Sequence, residues 1–109
     1  MTLNEYQNLA MRTSRKDMPP VDHLFNGILG LAGETGECAD LIKKHFYQDG
    51  RDIAEALMDE MSDVLWYCAE VITAMDWTRD EVAQHNVEKL RKRYPDGFDA
   101  ERSLHREGE

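Results

Sequence analysis

Three short interruptions constrain this chain more than any other feature. They are MPPVD at 18–22, YQDGRD at 47–52 and MDWTRDE at 75–81. Between them apolar residues recur at helical spacing. Strand signals are lacking: there is no sustained period-two alternation and no Asn-Gly or Asp-Gly turn between β-branched runs. A first helix is expected over about 3–14, with Leu3, Tyr6, Ala10 and Thr13 turned inward. Pro19 and Pro20 stop it, and Asp22 can cap a second helix from about His23 to Phe46, which Gly50 ends. A third spans about Ile53 to Met75, with Leu57, Met61, Val64, Leu65, Cys68, Val71, Ile72 and Met75 on one stripe. Thr78, with Glu81 three residues on, reads as a capping box opening a fourth helix that runs to Tyr94 and stops at Pro95 and Gly97. Four helices with short connections predict an all-α, four-to-five-helix bundle. Residues 1–98 read as one helical domain and 99–109 as a polar tail.

The second and third helices carry a matched pattern. Leu31-x-x-Glu34-x-x-Glu37-Cys38 in one answers Leu57-x-x-Glu60-x-x-Asp63-Val64 in the other. Winding the second helix at about 100° per residue puts Leu24, Ile28, Leu31, Cys38, Ile42 and Phe46 on one stripe, Glu34 at its edge and Glu37 a little further round. Glu60 and Asp63 flank the third helix's stripe in the same way. If the two stripes pack antiparallel, the carboxylate pairs converge at one rim. Four carboxylates gathered there need a counter-charge. All-oxygen donors select hard cations such as Mg²⁺ or Mn²⁺. The competing reading is two solvated acidic faces that never meet.

Gly30, Gly33 and Gly36 lie along the flank that bears Glu34 and Glu37. Each glycine inside a helix costs roughly 1 kcal/mol relative to alanine, so the bare face needs a use. Either it leaves a trough beside the carboxylates or it lets another helix approach closely. In the fourth helix Asn86, Lys89 and Arg93 share one face, which suits phosphate oxygens or serves as an ordinary solvated basic end of a helix.

Charge and cysteines narrow the class. Thirteen Lys and Arg face 22 Asp and Glu, for a formal net charge of −9, which argues against binding nucleic-acid backbones. A small phosphorylated ligand stays compatible, because cations can bridge two anionic groups. Cys38 and Cys68 stand apart with no CxxC or Cys/His cluster, fitting a reducing compartment. MTLNEYQNLAMRT has no apolar core of a signal peptide, and no run approaches a membrane span. The expectation is a cytoplasmic, soluble protein with no membrane partner.

GLAGETGE at 30–37 followed by DEMSDVLWYC at 59–68 resembles the MazG-like, all-α nucleoside triphosphate pyrophosphohydrolases, whose signature is E-x-x-E, a spacer, then E-x-x-D. NVEKLRKRYPDGF at 86–98 is similar to the last core helix of that family, so the resemblance covers about 24–98. It implies Mg²⁺-dependent conversion of a (d)NTP to the monophosphate and pyrophosphate, with Mn²⁺ as a substitute. Glu34, Glu37, Glu60 and Asp63 would hold the metal. Glu37, with Glu34 as runner-up, would take a proton from the attacking water. Asn86, Lys89 and Arg93 would contact phosphates and Tyr67 the nucleotide, with Trp66 and Asn26 as weaker substrate contacts. The family assembles as homodimers or homotetramers. The chain departs from larger members in carrying a single copy of the motif, which leaves base preference open; Tyr6, Gln7, His23 and Phe25 are candidates for it.

Two other classes compete. A carboxylate-bridged di-iron bundle needs Glu-x-x-His pairs, and none of His23, His45, His85 or His105 has an acid three residues before it. The alternative to an enzyme is a non-catalytic nucleotide-binding or oligomerisation module; the complete acidic quartet weighs against it.

Overall fold

The structure, a computed structural model, describes residues 1–105. It is all-α: α1 (Leu3–Met11), α2 (Pro20–Tyr47), α3 (Ala54–Ala74), α4 (Arg79–Arg93) and α5 (Ala100–Leu104), with no strand among the described residues. Local chemistry sets the boundaries. Thr2 and Glu5 cap α1 reciprocally, each side chain accepting from the other's backbone N–H at 3.0 Å. α2 begins at Pro20 rather than His23: proline at the first helical position needs no N–H partner and already has helical φ. Asp22 therefore sits inside the first turn and is not the cap. Asp76, in left-handed conformation at φ 59°, turns the chain from α3 toward α4. Thr78 then caps α4, its hydroxyl accepting from the Glu81 N–H at 3.1 Å.

α2 and α3 run antiparallel and form the principal helix pair. Close approach depends on two glycines. A Cβ on Gly27 would stand 2.6 Å from Val71 Cγ2, and one on Gly30 would stand 2.2 Å from the Tyr67 ring. α1 lies antiparallel on α3, with Gln7 Nε2 donating to Thr73 Oγ1 at 2.8 Å and Trp66 Nε1 donating to the Ala10 carbonyl at 3.1 Å. Two α1 side chains also finish the start of α4. Gln7 Oε1 accepts from the Arg79 N–H at 2.8 Å, and Asn4 Oδ1 accepts from the Asp80 N–H at 3.1 Å. Together with Thr78 they satisfy the first donors of that helix.

The interior of one chain is small. Among the described residues Ala10, Ala69 and Ile72 are the buried apolar side chains, alongside buried Gln7 and Glu70. The radius of gyration is 17.1 Å, against about 13 Å for a compact domain of this length. Many residues expected to face inward are exposed instead, including Leu3, Ile28, Ile42, Phe46, Met61, Leu65 and Met75. Leu29 and Met58 are 71% and 72% exposed. α4 packs on α1 and α3 and has no buried residue. The helical stripes are real, but a single copy supplies neighbours for only part of each.

Beyond residue 98, the stretch read as a polar tail contains α5. Asp99 caps it, and Arg102 reaches back to the carbonyls of Arg93 at 2.7 Å and Lys92 at 3.3 Å. Residues 106–109 of the tail lie outside the described residues.

Candidate metal centre

The antiparallel register of α2 and α3 has a direct consequence for the matched carboxylate pairs. Glu34 and Glu37, one turn apart on α2, meet Glu60 of α3, and one ligating oxygen from each lies within 4.8 Å of the other two. Glu34 and Glu60 are half-buried, and Glu37 is exposed. Glu34 Oε2 and Glu60 Oε2 are shielded from solvent and have no hydrogen-bond partner among the described residues. A shielded carboxylate oxygen without a donor is costly.

The electrostatics agree with the geometry. Contact with the Glu60 carboxyl pushes Glu37 above the ordinary carboxylate range, with the Asp63 charge adding to the effect. Glu60 is raised in turn, first by its contact with Glu34, and again Asp63 adds. Asp63 thus stands outside the tight trio yet close enough for its charge to act on two of its members. It is exposed. Such a set, all oxygen donors with excess negative charge and two shielded lone-pair sites, fits a hard divalent cation.

The other sequence candidates divide. Tyr67 lies one turn beyond Asp63, its ring in the slot left by Gly30. Trp66 donates its indole N–H to the Ala10 carbonyl and to Thr13 Oγ1, so its only donor is used inside the chain. Asn26 is engaged in part: one amide N–H donates to Glu70 Oε1 at 2.8 Å. Asn86 and Lys89 are exposed on α4, and among the described residues neither forms a hydrogen bond or ion pair with the carboxylates. Arg93 is half-buried at the end of the same helix. Of the glycines, Gly30 receives a side chain, whereas a Cβ on Gly33 or Gly36 would meet nothing within 4 Å.

Sequence reasoning missed a buried polar network at the opposite end of the α2–α3 pair. Glu70 is 2% exposed and accepts from Asn26 and from His23 Nδ1, the latter at 3.0 Å. Ser14 Oγ lies 3.4 Å from the same ring nitrogen. A cavity of about 290 Å³ lined by Met11, Ser14, His23, Glu70 and Thr73 adjoins it, about 15 Å along α3 from Glu60. The available signal was an acid inside the apolar run CAEVITA. Of the base-preference candidates, Gln7 and His23 are committed to these internal bonds, the Tyr6 ring lies under Arg79, and Phe25 is exposed.

Comparison with known proteins gives a consistent picture. The family model described as "MazG nucleotide pyrophosphohydrolase domain" matches residues 26–98. The "Gene 37 protein" of Mycobacterium phage L5 is 33% identical over 84 residues, covering 71% of each chain. No solved structure matches significantly. Among the described residues no helix is long and apolar enough to cross a membrane.

Proposed function

This chain belongs to the MazG nucleotide pyrophosphohydrolase family, and we propose on that premise that it hydrolyses a (d)NTP to the monophosphate and pyrophosphate with Mg²⁺. The observation that carries the reading is the convergence of Glu34, Glu37 and Glu60 within 4.8 Å, with two shielded oxygens lacking donors. Glu34, Glu37 and Glu60 would hold the ion, with Asp63 completing the set. Bound there, Mg²⁺ would offset the charge of the triphosphate and acidify a nearby water; Mn²⁺ has the same preference for oxygen and can replace it.

In the reaction a water oxygen bonds to the α-phosphorus, the bond from that phosphorus to the α–β bridging oxygen breaks, and pyrophosphate leaves. Glu37 is the residue assigned to take the water's proton. It is the most exposed of the trio, so a water can reach its carboxylate. Glu34 is second choice, since one of its oxygens is shielded. Tyr67 would meet the nucleoside. Asn86, Lys89 and Arg93 would meet phosphate oxygens.

We assign a homodimer or homotetramer as the working form. Among the described residues of one chain twenty large apolar side chains are more than a third exposed, and α4 buries none of its residues. A second copy would cover these stripes, and would allow an α4 from one chain to face the carboxylates of another. A cytoplasmic setting suits a nucleotide substrate and two free thiols.

The test is to incubate the protein with a panel of (d)NTPs and Mg²⁺ and to resolve monophosphate, diphosphate, pyrophosphate and orthophosphate. Monophosphate with pyrophosphate, abolished by EDTA and by Glu60→Gln, is expected. Diphosphate with orthophosphate would show a different bond being broken. No turnover of any nucleotide, with nucleotide binding intact, would favour a non-catalytic binding module.

A further inference from the structure

Tyr67 has two close neighbours, Gly30 and Trp66. Gly30 of α2 leaves room that no other residue could leave: a Cβ there would stand 2.2, 2.4 and 2.5 Å from three atoms of the ring. Trp66 also meets the ring edge-on, with centroids 5.2 Å apart and planes at 89°, a favourable aromatic geometry. Trp66 is itself fixed. Its Nε1–H donates to the Ala10 carbonyl at 3.1 Å and to Thr13 Oγ1 at 2.8 Å. The Thr13 hydroxyl donates in turn to the Ala10 carbonyl at 2.7 Å. A chain of contacts therefore runs from the end of α1, through Trp66, to Tyr67 and the α2 backbone.

The phenol at the end of that chain is unused. Tyr67 Oη makes no hydrogen bond among the described residues and is not one of the shielded, unpartnered atoms. Tyr67 stands one turn past Asp63, about 6 Å along α3. A ligand whose phosphates meet the carboxylates would bring its next chemical group to this ring. An aromatic side chain free to rotate would lose that freedom on binding, whereas one already locked does not.

We propose that Trp66, Thr13 and Gly30 are positioning residues, which together hold Tyr67 as the surface that receives the nucleoside part of the substrate. The inference rests on the pyrophosphohydrolase reading and extends it. Trp66 acts through Tyr67 and not by touching substrate, and α1 influences substrate choice although the metal ligands lie on α2 and α3.

A double-mutant cycle tests this. Steady-state kinetics with each of the four common dNTPs and Mg²⁺ would be measured for Trp66→Phe, Thr13→Val, Thr13→Ser and Gly30→Ala, alone and in a Tyr67→Ala background. Trp66→Phe keeps the ring edge and removes the N–H; it should raise KM for the preferred dNTP about 5-fold, with kcat within about 2-fold. Thr13→Val should do the same and Thr13→Ser should restore the wild-type KM. In the Tyr67→Ala background each effect should shrink below about 2-fold, because the side chain being positioned is gone. Effects that persist in full in that background, or that appear in kcat and melting temperature but not KM, would overturn the proposal. Should Gly30→Ala fail to fold, the Trp66 and Thr13 variants decide alone. A wild-type protein that turns over no dNTP would overturn the pyrophosphohydrolase reading and this inference with it; an active wild type with additive variants would overturn the positioning role only.

Discussion

Glu34 and Glu60 face one another across the α2–α3 pair, each with its Oε2 shielded and without a donor, and each within 4.8 Å of a ligating oxygen of the other and of Glu37. Like charges held this closely oppose folding of the metal-free chain. A divalent cation bound there would convert the same arrangement into a stabilising one.

Mg²⁺ is accordingly expected to raise the melting temperature in a saturable way, by about 5 °C or more at ten times its dissociation constant. Glu60→Gln should melt higher than wild type without metal, because one repelling charge is removed, and should lose most of the response to Mg²⁺. Differential scanning fluorimetry across a Mg²⁺ series, with Ca²⁺ and Mn²⁺ alongside, reads both effects. A Glu60→Gln variant that keeps the full wild-type response would remove Glu60 from the metal site.

The same cluster sets a pH dependence with a definite sign. Glu37 and Glu60 both hold their protons more tightly folded than unfolded. The folded state therefore binds more protons than the unfolded state between the ordinary carboxyl value and the raised one, and stability falls as pH rises through that window. Without metal, the stability advantage of Glu60→Gln over wild type should widen as pH rises above about 4.5 and level off once both acids are ionised. With saturating Mg²⁺ the widening should disappear. Asp17, Asp40 and Asp49 are shifted the other way by their Arg15, Lys44 and Arg51 partners, and since they are present in both proteins they cancel from the difference.

The α2 glycines fall into two classes, and alanine substitution should separate them. Gly27→Ala places a Cβ 2.6 Å from Val71 Cγ2 and 3.3 Å from the Val71 backbone nitrogen, and should destabilise by about 1–3 kcal/mol. Gly33→Ala and Gly36→Ala meet nothing within 4 Å in one chain, and each should stabilise an isolated chain by up to about 1 kcal/mol. Chemical denaturation with constant m-value gives the comparison. If Gly33→Ala instead lowers stability and shifts the oligomeric state in analytical ultracentrifugation, that face packs closely against another copy.

Asn26 should behave as a structural residue. Asn26→Ala removes a donor from the buried Glu70 carboxylate and should cost about 1.5–3 kcal/mol of stability. KM for nucleotide should stay within about 2-fold of wild type at temperatures where the variant remains folded. A large KM effect with unchanged stability would return Asn26 to the substrate site.

What could be read in the linear chain was most of what local geometry governs, the cap of α2 and the short α5 excepted. Pro19–Pro20, Gly50 and the Asp76–Thr78 turn mark the helix boundaries because backbone dihedrals and capping depend on residues within a few positions. The spacing of Glu34 with Glu37 and of Glu60 with Asp63 fixed which faces carry the acids, since a helix turns by a constant angle per residue. The antiparallel pairing entered only as a condition, and the packing of α2 on α3 decided it, bringing together Glu34, Glu37 and Glu60. Tertiary structure decided the fate of each remaining polar group. Asn26 and Trp66 look from sequence like residues available to a ligand, yet the Trp66 indole N–H is taken by Ala10 and Thr13 and one Asn26 amide N–H by Glu70, at separations of 56 and 44 residues for the Ala10 and Glu70 bonds. It also showed that Ile28, Phe46, Met61 and Leu65, though correctly placed on stripes, are left uncovered by a single chain. Periodicity is a property of one helix; burial and hydrogen-bond partners belong to the elements packed against it, and no pattern within the helix specifies those.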